Sequence, residues 1–449
     1  MTVLVGLVVA SALVLSACGF APSSTPIDAT DMTSDAGVCV EAGTTCTGDA
    51  LRTCSAPGAA PVDVACSWGC AMNESARCSQ LVPSGALLPG DLVAPGLALA
   101  DVDIATDSKI NTMTGAIDGI RGPGSGVVDG IELTMRGGVA VFRFNKLAIA
   151  GNLTVTGNNA LAIVSITTLD ITTGTINIQG TCIGREPGPG GSRGGDHDQP
   201  GEGSGKGAKG ITDDDVRTGG GGGGYGGTGG EGSTGGAAGG PMFGDPEITM
   251  LVGGSGGGGG KNGSGGNQGG FGGGGGGAIQ LAANGAISIG AGSINAGGCG
   301  GEGGEEAAGG GGGGAGGAIL IEGVTITLTG SRIAANGGGG GGGGEANSLG
   351  NTDSGTDGQN ATAAATAATG GPGGGNGGNM GGRGGDGGSA GLTDGLVGST
   401  GADSGGGGGG AVGRIRFNTR SGAITQIMEV LISPTEASGR ATVGAAKTQ

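Results

Sequence analysis

The chain has 449 residues, of which 124 are glycine, with one Trp, one Tyr, six Phe and one His, and a formal net charge of −17. Aromatic side chains carry much of the buried area of ordinary cores, so their scarcity excludes a conventional large globular core; glycine tracts without a strict Gly-X-Y period exclude collagen. A chain this acidic lacks the Lys and Arg clusters that phosphates and anionic lipid headgroups require, which excludes nucleic acid as a partner and leaves the charge as a solubility device for a glycine-rich surface.

The run from Val3 to Leu15 is apolar but shorter than the roughly 20 residues that span a bilayer. At this position it suits the apolar core of a signal peptide better than a buried strand or helix. It leads into Leu15-Ser16-Ala17-Cys18-Gly19. The tetrad ending at Cys18 resembles the lipobox of bacterial lipoproteins. That resemblance implies removal of residues 1–17, lipidation of Cys18 as the new N-terminus, and anchorage in a membrane. Gly19, where Asp is absent, implies sorting to the outer membrane and display at the cell surface. No Lys or Arg precedes the apolar run, a departure from the signal-peptide pattern that points to a true start upstream of Met1. Residues 18–38 are rich in Ser, Thr, Pro, Ala and Asp and predict a flexible, solvated tether.

Residues 39–80 hold six cysteines: Cys39, Cys46, Cys54, Cys66, Cys70 and Cys78. In an exported chain they predict three disulfides stapling a module too small to hold a core alone. The pairing is not legible from sequence. A zinc site is the rival reading, but the segment has no Cys-x-x-Cys knuckle and no His.

Beyond Leu92 the pattern changes to short strands with period-two alternation. Units of three strands can be laid on one another: Val141–Phe144, Leu147–Ile149 and Leu153–Val155, then units opening at Leu161, Ile279 and Ile319, and a fifth that opens at Ile415 and fades after Ile424. Residues 92–449 are therefore predicted to be all-β, a parallel β-helix whose units stack like on like. Glycine-rich excursions leave after the third strand and return just before the first, over residues 183–277, 299–317 and 337–410. Insertions confined to one corner leave the stack of a solenoid intact. Two states are open for the excursions: disorder, because glycine loses the most entropy on ordering, or close packing as extended, polyproline-II-like strands. Cys182 and Cys299 open the first two excursions at the same phase of the repeat, which predicts a disulfide between them.

Few residues propose chemistry. Asp213, Asp214 and Asp215 with Arg217, and Asp101, Asp103 and Asp107, could supply paired carboxylates for a glycosidic bond. The first set lies inside an excursion and the second precedes the clear repeats. His197, the sole histidine, sits in a Gly/Asp/Pro loop and reads as solvated. No catalytic residue and no cofactor are assigned. Asp386 is the one candidate Ca²⁺ ligand, because Gly381-Gly382-Arg383-Gly384-Gly385-Asp386 approaches the repeat of Ca²⁺-binding β-rolls; it occurs once, with Gly388 where that repeat needs a large apolar residue.

The tracts Gly256–Gly277, Gly309–Gly317 and Gly337–Gly344 resemble the glycine-rich sequences of bacterial PGRS-type proteins. With the lipobox, cysteine module and strand repeats, the layout resembles glycine-rich bacterial surface lipoproteins. The resemblance implies surface display and a non-catalytic, structural or adhesive role, with extracellular polysaccharide or other cells as partners. The alternative is a polysaccharide lyase or hydrolase using a face of the strand stack.

Overall fold

The computed structural model describes residues 37–72, 74–93, 96, 98–345, 354–375 and 380–449. Cys18 and nearly all of the expected tether lie outside the described residues. Strands dominate, and the helical turns among the described residues are three short 3-10 segments. In chain order, the N-terminal region has β1 (Gly43–Thr47), β2 (Ala50–Cys54), β3 (Val62–Ala65), β4 (Cys70–Met72), β5 (Ala76–Cys78) and β6 (Leu81–Val82). Then come β7 (Asp101–Ile104), β8 (Ser108–Asn111), β9 (Gly126–Val128) and β10 (Ile131–Arg136). The first two full units are β11 (Val139–Phe144), β12 (Lys146–Ile149) and β13 (Leu153–Thr156), then β14 (Ala160–Ser165), β15 (Leu169–Ile171) and β16 (Thr175–Asn177). A small hairpin, β17 (Thr212–Asp213) and β18 (Val216–Arg217), stands in the first excursion. The third and fourth units are β19 (Ala278–Ala283), β20 (Ile287–Ile289) and β21 (Ser293–Asn295), then β22 (Ala318–Gly323), β23 (Ile326–Thr329) and β24 (Arg332–Ala334). The chain closes with β25 (Arg414–Thr419), β26 (Thr425–Ile427), β27 (Leu431–Ser433), β28 (Ala441–Ala445) and β29 (Lys447–Thr448).

Each unit places one strand in each of three sheets. Two are parallel throughout, in the orders β26-β23-β20-β15-β12-β7 and β27-β24-β21-β16-β13-β8. The third, β28-β25-β22-β19-β14-β11-β10-β9, is parallel from β11 to β28 and antiparallel at β9 and β10. Register stacks like side chains: Phe142, Ile163, Leu281, Ile321, Phe417 and Val443 form one column, and Leu147, Leu169, Ile287 and Ile326 another. These columns meet between the sheets in one continuous core. Small aliphatic residues in register replace the missing aromatics, each buried Leu or Ile contributing about 1.5–3 kcal/mol.

The strand pattern reaches further than the sequence indicates. The fifth unit does not fade after Ile424: β26 and β27 follow, and β28 begins another turn of the pattern. Its strand Thr-Gln-Ile carries no apolar alternation and is held by backbone pairing to β23. Upstream, β7 and β8 pair with β12 and β13, so Asp101 and Asp103 lie within the stack and not before it.

All six cysteines of the N-terminal region are paired, as Cys39–Cys54, Cys46–Cys70 and Cys66–Cys78. The region rests on the outer face of the mixed sheet. Trp68, 4% exposed, donates from Nε1 to Asn284 Oδ1 at 3.0 Å, and Arg420 pairs with Asp49. Residues 81–93, which the sequence assigns only as a boundary, lie across the same face, burying Leu81, Leu87 and Leu92 against Val139, Val141, Ala162 and Leu320. β6 also pairs with the C-terminal β29. The sheet is thus covered on both faces, which is why β11, β14, β19 and β22 are buried along their whole length.

Candidate functional site: the glycine slab and the cleft beside it

The three excursions leave after β16, β21 and β24 and return at β19, β22 and β25, all at the same corner. They are not disordered where described: they pack into a slab of extended glycine tracts. The tract 309–317 shows the rule. Gly309, Gly312 and Ala315 donate their amides to Lys261, Gly258 and Ser255; Gly310, Gly313 and Gly316 donate to Gly405, Gly408 and Ala411; Gly311, Gly314 and Gly317 donate to Glu302, Cys299 and Ala296. Every third residue faces the same neighbour, the three-fold rotation of a polyproline-II helix. The tract also accepts from Gly220, Gly270 and Gly338, each in a further tract. This meets the demand that buried amides and carbonyls be paired, with no side chain taking part. A Cβ on Gly311 would lie 1.8 Å from the Phe271 carbonyl oxygen, and one on Gly312 2.1 Å from that of Gly221. Glycine is required here by backbone proximity.

The disulfide between Cys182 and Cys299 spans the roots of the first two excursions. Asp213, Asp214 and Asp215 sit on the exposed β17–β18 hairpin, where Arg217 donates to the Asp215 backbone carbonyl and not to a carboxylate. Asp101 accepts from Asn145 and Asp107 from Asn152, while Asp103 is exposed. The two sets stand on different elements, the β17–β18 hairpin and β7 with the turn that follows it, and none of these acids lines the clefts found among the described residues. His197 is half-buried, not solvated: its ring stacks on Phe271 at 4.0 Å between centroids and bonds the Gly269 carbonyl. The Asp386 carboxylate is occupied by Arg383 Nη2 at 2.6 Å and the Gly370 amide at 2.8 Å, an environment that supplies a cation of its own.

A polar cluster on successive strands does exist. Glu322, 1% exposed, accepts from Gln280 Nε2 at 2.7 Å, Asn418 Nδ2 at 2.8 Å and the Ser84 amide at 3.0 Å. Burial pushes its carboxyl above the ordinary range against the pull of these donors. Gln280 in turn donates to the Ser84 carbonyl and accepts from the Ala86 amide. Gly85 takes a φ of +62° there, with Gln280 Oε1 2.7 Å from where a Cβ would stand. The cluster is closed over and saturated, and it fastens residues 84–86 to the sheet.

Among the clefts of the described residues, one sets aromatic, hydroxyl and carboxylate side chains together at the slab. A cleft of about 330 Å³ is lined by Tyr225, Phe243, Asp245, Ile248, Met250 and Val252 with Ser192, Ser204 and flanking glycines. Tyr225, 1% exposed, is carried into position by the slab tract that contains it, and its ring meets Phe243 at 4.7 Å and 49°. Burial raises the Tyr225 hydroxyl above its usual range. Behind Phe243, the 3%-exposed Arg414 donates from Nε and Nη2 to the Phe243 carbonyl, and its Nη1 has no partner. Asp245 accepts from Thr249 Oγ1 at 2.7 Å and from the Glu247 and Thr249 amides; although burial opposes it, these bonds hold the carboxyl below its ordinary range. Sequence reasoning missed this cleft. Its one signal was the chain's only tyrosine, set alone inside a glycine tract.

No protein-family model, curated protein or solved structure matches the chain. Among the described residues no helix is long and apolar enough to cross a membrane.

Proposed function

We propose that this is a non-catalytic, lipid-anchored protein of an outer cell surface, structural or adhesive in role, built as a parallel β-helix from whose corner a rigid glycine slab projects. Extracellular polysaccharide or other cells are its partners, and a bacterial PGRS-like surface lipoprotein is the class it resembles. The observation that carries the reading is the slab. The glycine tracts of the three excursions bond to one another through the backbone, which suits a stiff projecting surface. The disulfides agree with export, and the lipobox at Cys18 supplies the anchor. Candidate acids that share no cleft count against a glycoside hydrolase or lyase, which needs two carboxyl groups at a fixed separation.

The test combines anchorage and chemistry. Cys18→Ala should abolish metabolic lipid labelling and release the protein from the membrane, and the native protein on intact cells should be cleaved by added protease. Retention of the variant would overturn the anchor. A polysaccharide panel scored for retention and for newly formed chain ends should give retention alone; new ends would make the chain an enzyme.

A further inference from the structure

We infer that the cleft walled by Tyr225 and Phe243 binds a neutral hexose unit of a glycan. The inference deepens the adhesive reading and rests on it for the kind of polymer met. The cleft volume of about 330 Å³ falls within the roughly 300–1,000 Å³ typical of ligand sites. A sugar ring has an apolar C–H face and a rim of hydroxyls, and the lining has both complements. Phe243, backed by the buried Tyr225 ring, forms an apolar wall with Met250 and Val252, while Ser192, Ser204 and Asp245 bring hydroxyls and a carboxylate. The rest of the slab presents backbone that is already paired, so side-chain selectivity is concentrated here.

Arg414 is a positioning residue. It grips the Phe243 carbonyl and lies 3.6 Å from where a Cβ on Gly244, in the cleft lining, would stand. The charge of the site selects against acidic sugars. Asp245 is ionised at neutral pH and lines the cleft, so a uronate would meet a like charge.

The experiment is calorimetric titration of the full-length protein with neutral glucan oligosaccharides and, separately, with oligogalacturonate. The native chain should bind a neutral oligosaccharide and not the uronate. Phe243→Ala, which removes the accessible ring of the wall, and Ser204→Trp, which fills the exposed mouth, should each weaken binding about tenfold or more, with thermal unfolding unchanged for Ser204→Trp. Equal binding by a folded Ser204→Trp variant, preference for the uronate, or no binding of neutral sugar would overturn the site. If the native protein is surface-exposed and retained on a polysaccharide while both variants match it, the site falls and the adhesive reading stands. If the variants lose sugar binding but the protein is not surface-exposed, the site stands and the reading falls.

Discussion

Cys182 and Cys299, 117 residues apart in sequence, are joined with their Cα atoms 5.3 Å apart. Cys182 follows β16 and Cys299 follows β21, strands that pair directly. The bond therefore ties the roots of two glycine excursions where they leave the sheets. In the chain-entropy account a loop of this size is worth up to about 4–5 kcal/mol. Cys182→Ala/Cys299→Ala should lower the thermal midpoint and accelerate amide exchange in the slab before the sheet core. Uniform exchange across both would show that the disulfide does not act locally.

Gly312→Ala drives a methyl into the Gly221 carbonyl inside the slab, whereas Gly391 has open space around it. Gly312→Ala should cost about 3 kcal/mol or more, the upper end for overpacking, because backbone on both sides must move. Gly391→Ala should be neutral or gain up to about 1 kcal/mol through the unfolded chain. Denaturant midpoints compare the two, and equal midpoints would argue against close packing of the tracts.

Trp68 is the only tryptophan, so its fluorescence reports docking of the cysteine region without interference. It lies two residues beyond Cys66, which pairs with Cys78. Mild reduction should shift the emission to the red as Trp68 leaves Asn284 and the sheet face. Trp68→Ala should destabilise by about 3–5 kcal/mol and expose residues 81–93 to protease. A red shift that coincides with global unfolding would mean that the region and the sheets form one cooperative unit.

Glu322 makes a pH prediction with an unusual sign. Its carboxyl holds a proton to higher pH in the folded chain than in the unfolded one, because burial outweighs its donors. Its contribution is then complete below the ordinary glutamate range and is lost as pH rises through the raised folded value. Glu322→Gln should remove that dependence while costing about 1–3 kcal/mol, because its amide nitrogen faces a donor where Glu322 offered an acceptor. Glu322→Leu should cost about 3 kcal/mol, since Gln280, Asn418 and the Ser84 amide lose their shared acceptor. Midpoints measured from acid to neutral pH separate these outcomes.

The strand units from Val141 to Ala335 were legible because apolar residues at every second position can face only one way once one side is buried. The corner of insertion was legible for the same reason: Ala278-Ile279, Ala318-Ile319 and Ala411-Val412 mark each return. β26 and β27 were not, because their sequences, Thr-Gln-Ile and Leu-Ile-Ser, are held by pairing partners and not by alternation. The cleft was not legible either. Tyr225, the Phe243–Asp245 segment and Arg414 come from separate stretches of the chain, and nothing in the sequence near one names the others.

Local pattern alone therefore determined where the strands between Val141 and Ala335 form, how they group in threes, which cysteines belong together at the roots of the excursions, and where the chain leaves and returns. Tertiary structure alone decided that the glycine tracts are ordered, that the cysteine region docks on a sheet buried on both faces, and that two aromatic rings meet over a buried guanidinium. The physical reason is the same in each case. A side-chain period is written along the chain, whereas a polyglycine hydrogen bond and a cleft wall depend on partners in other stretches of the chain, with no side-chain signal to announce them.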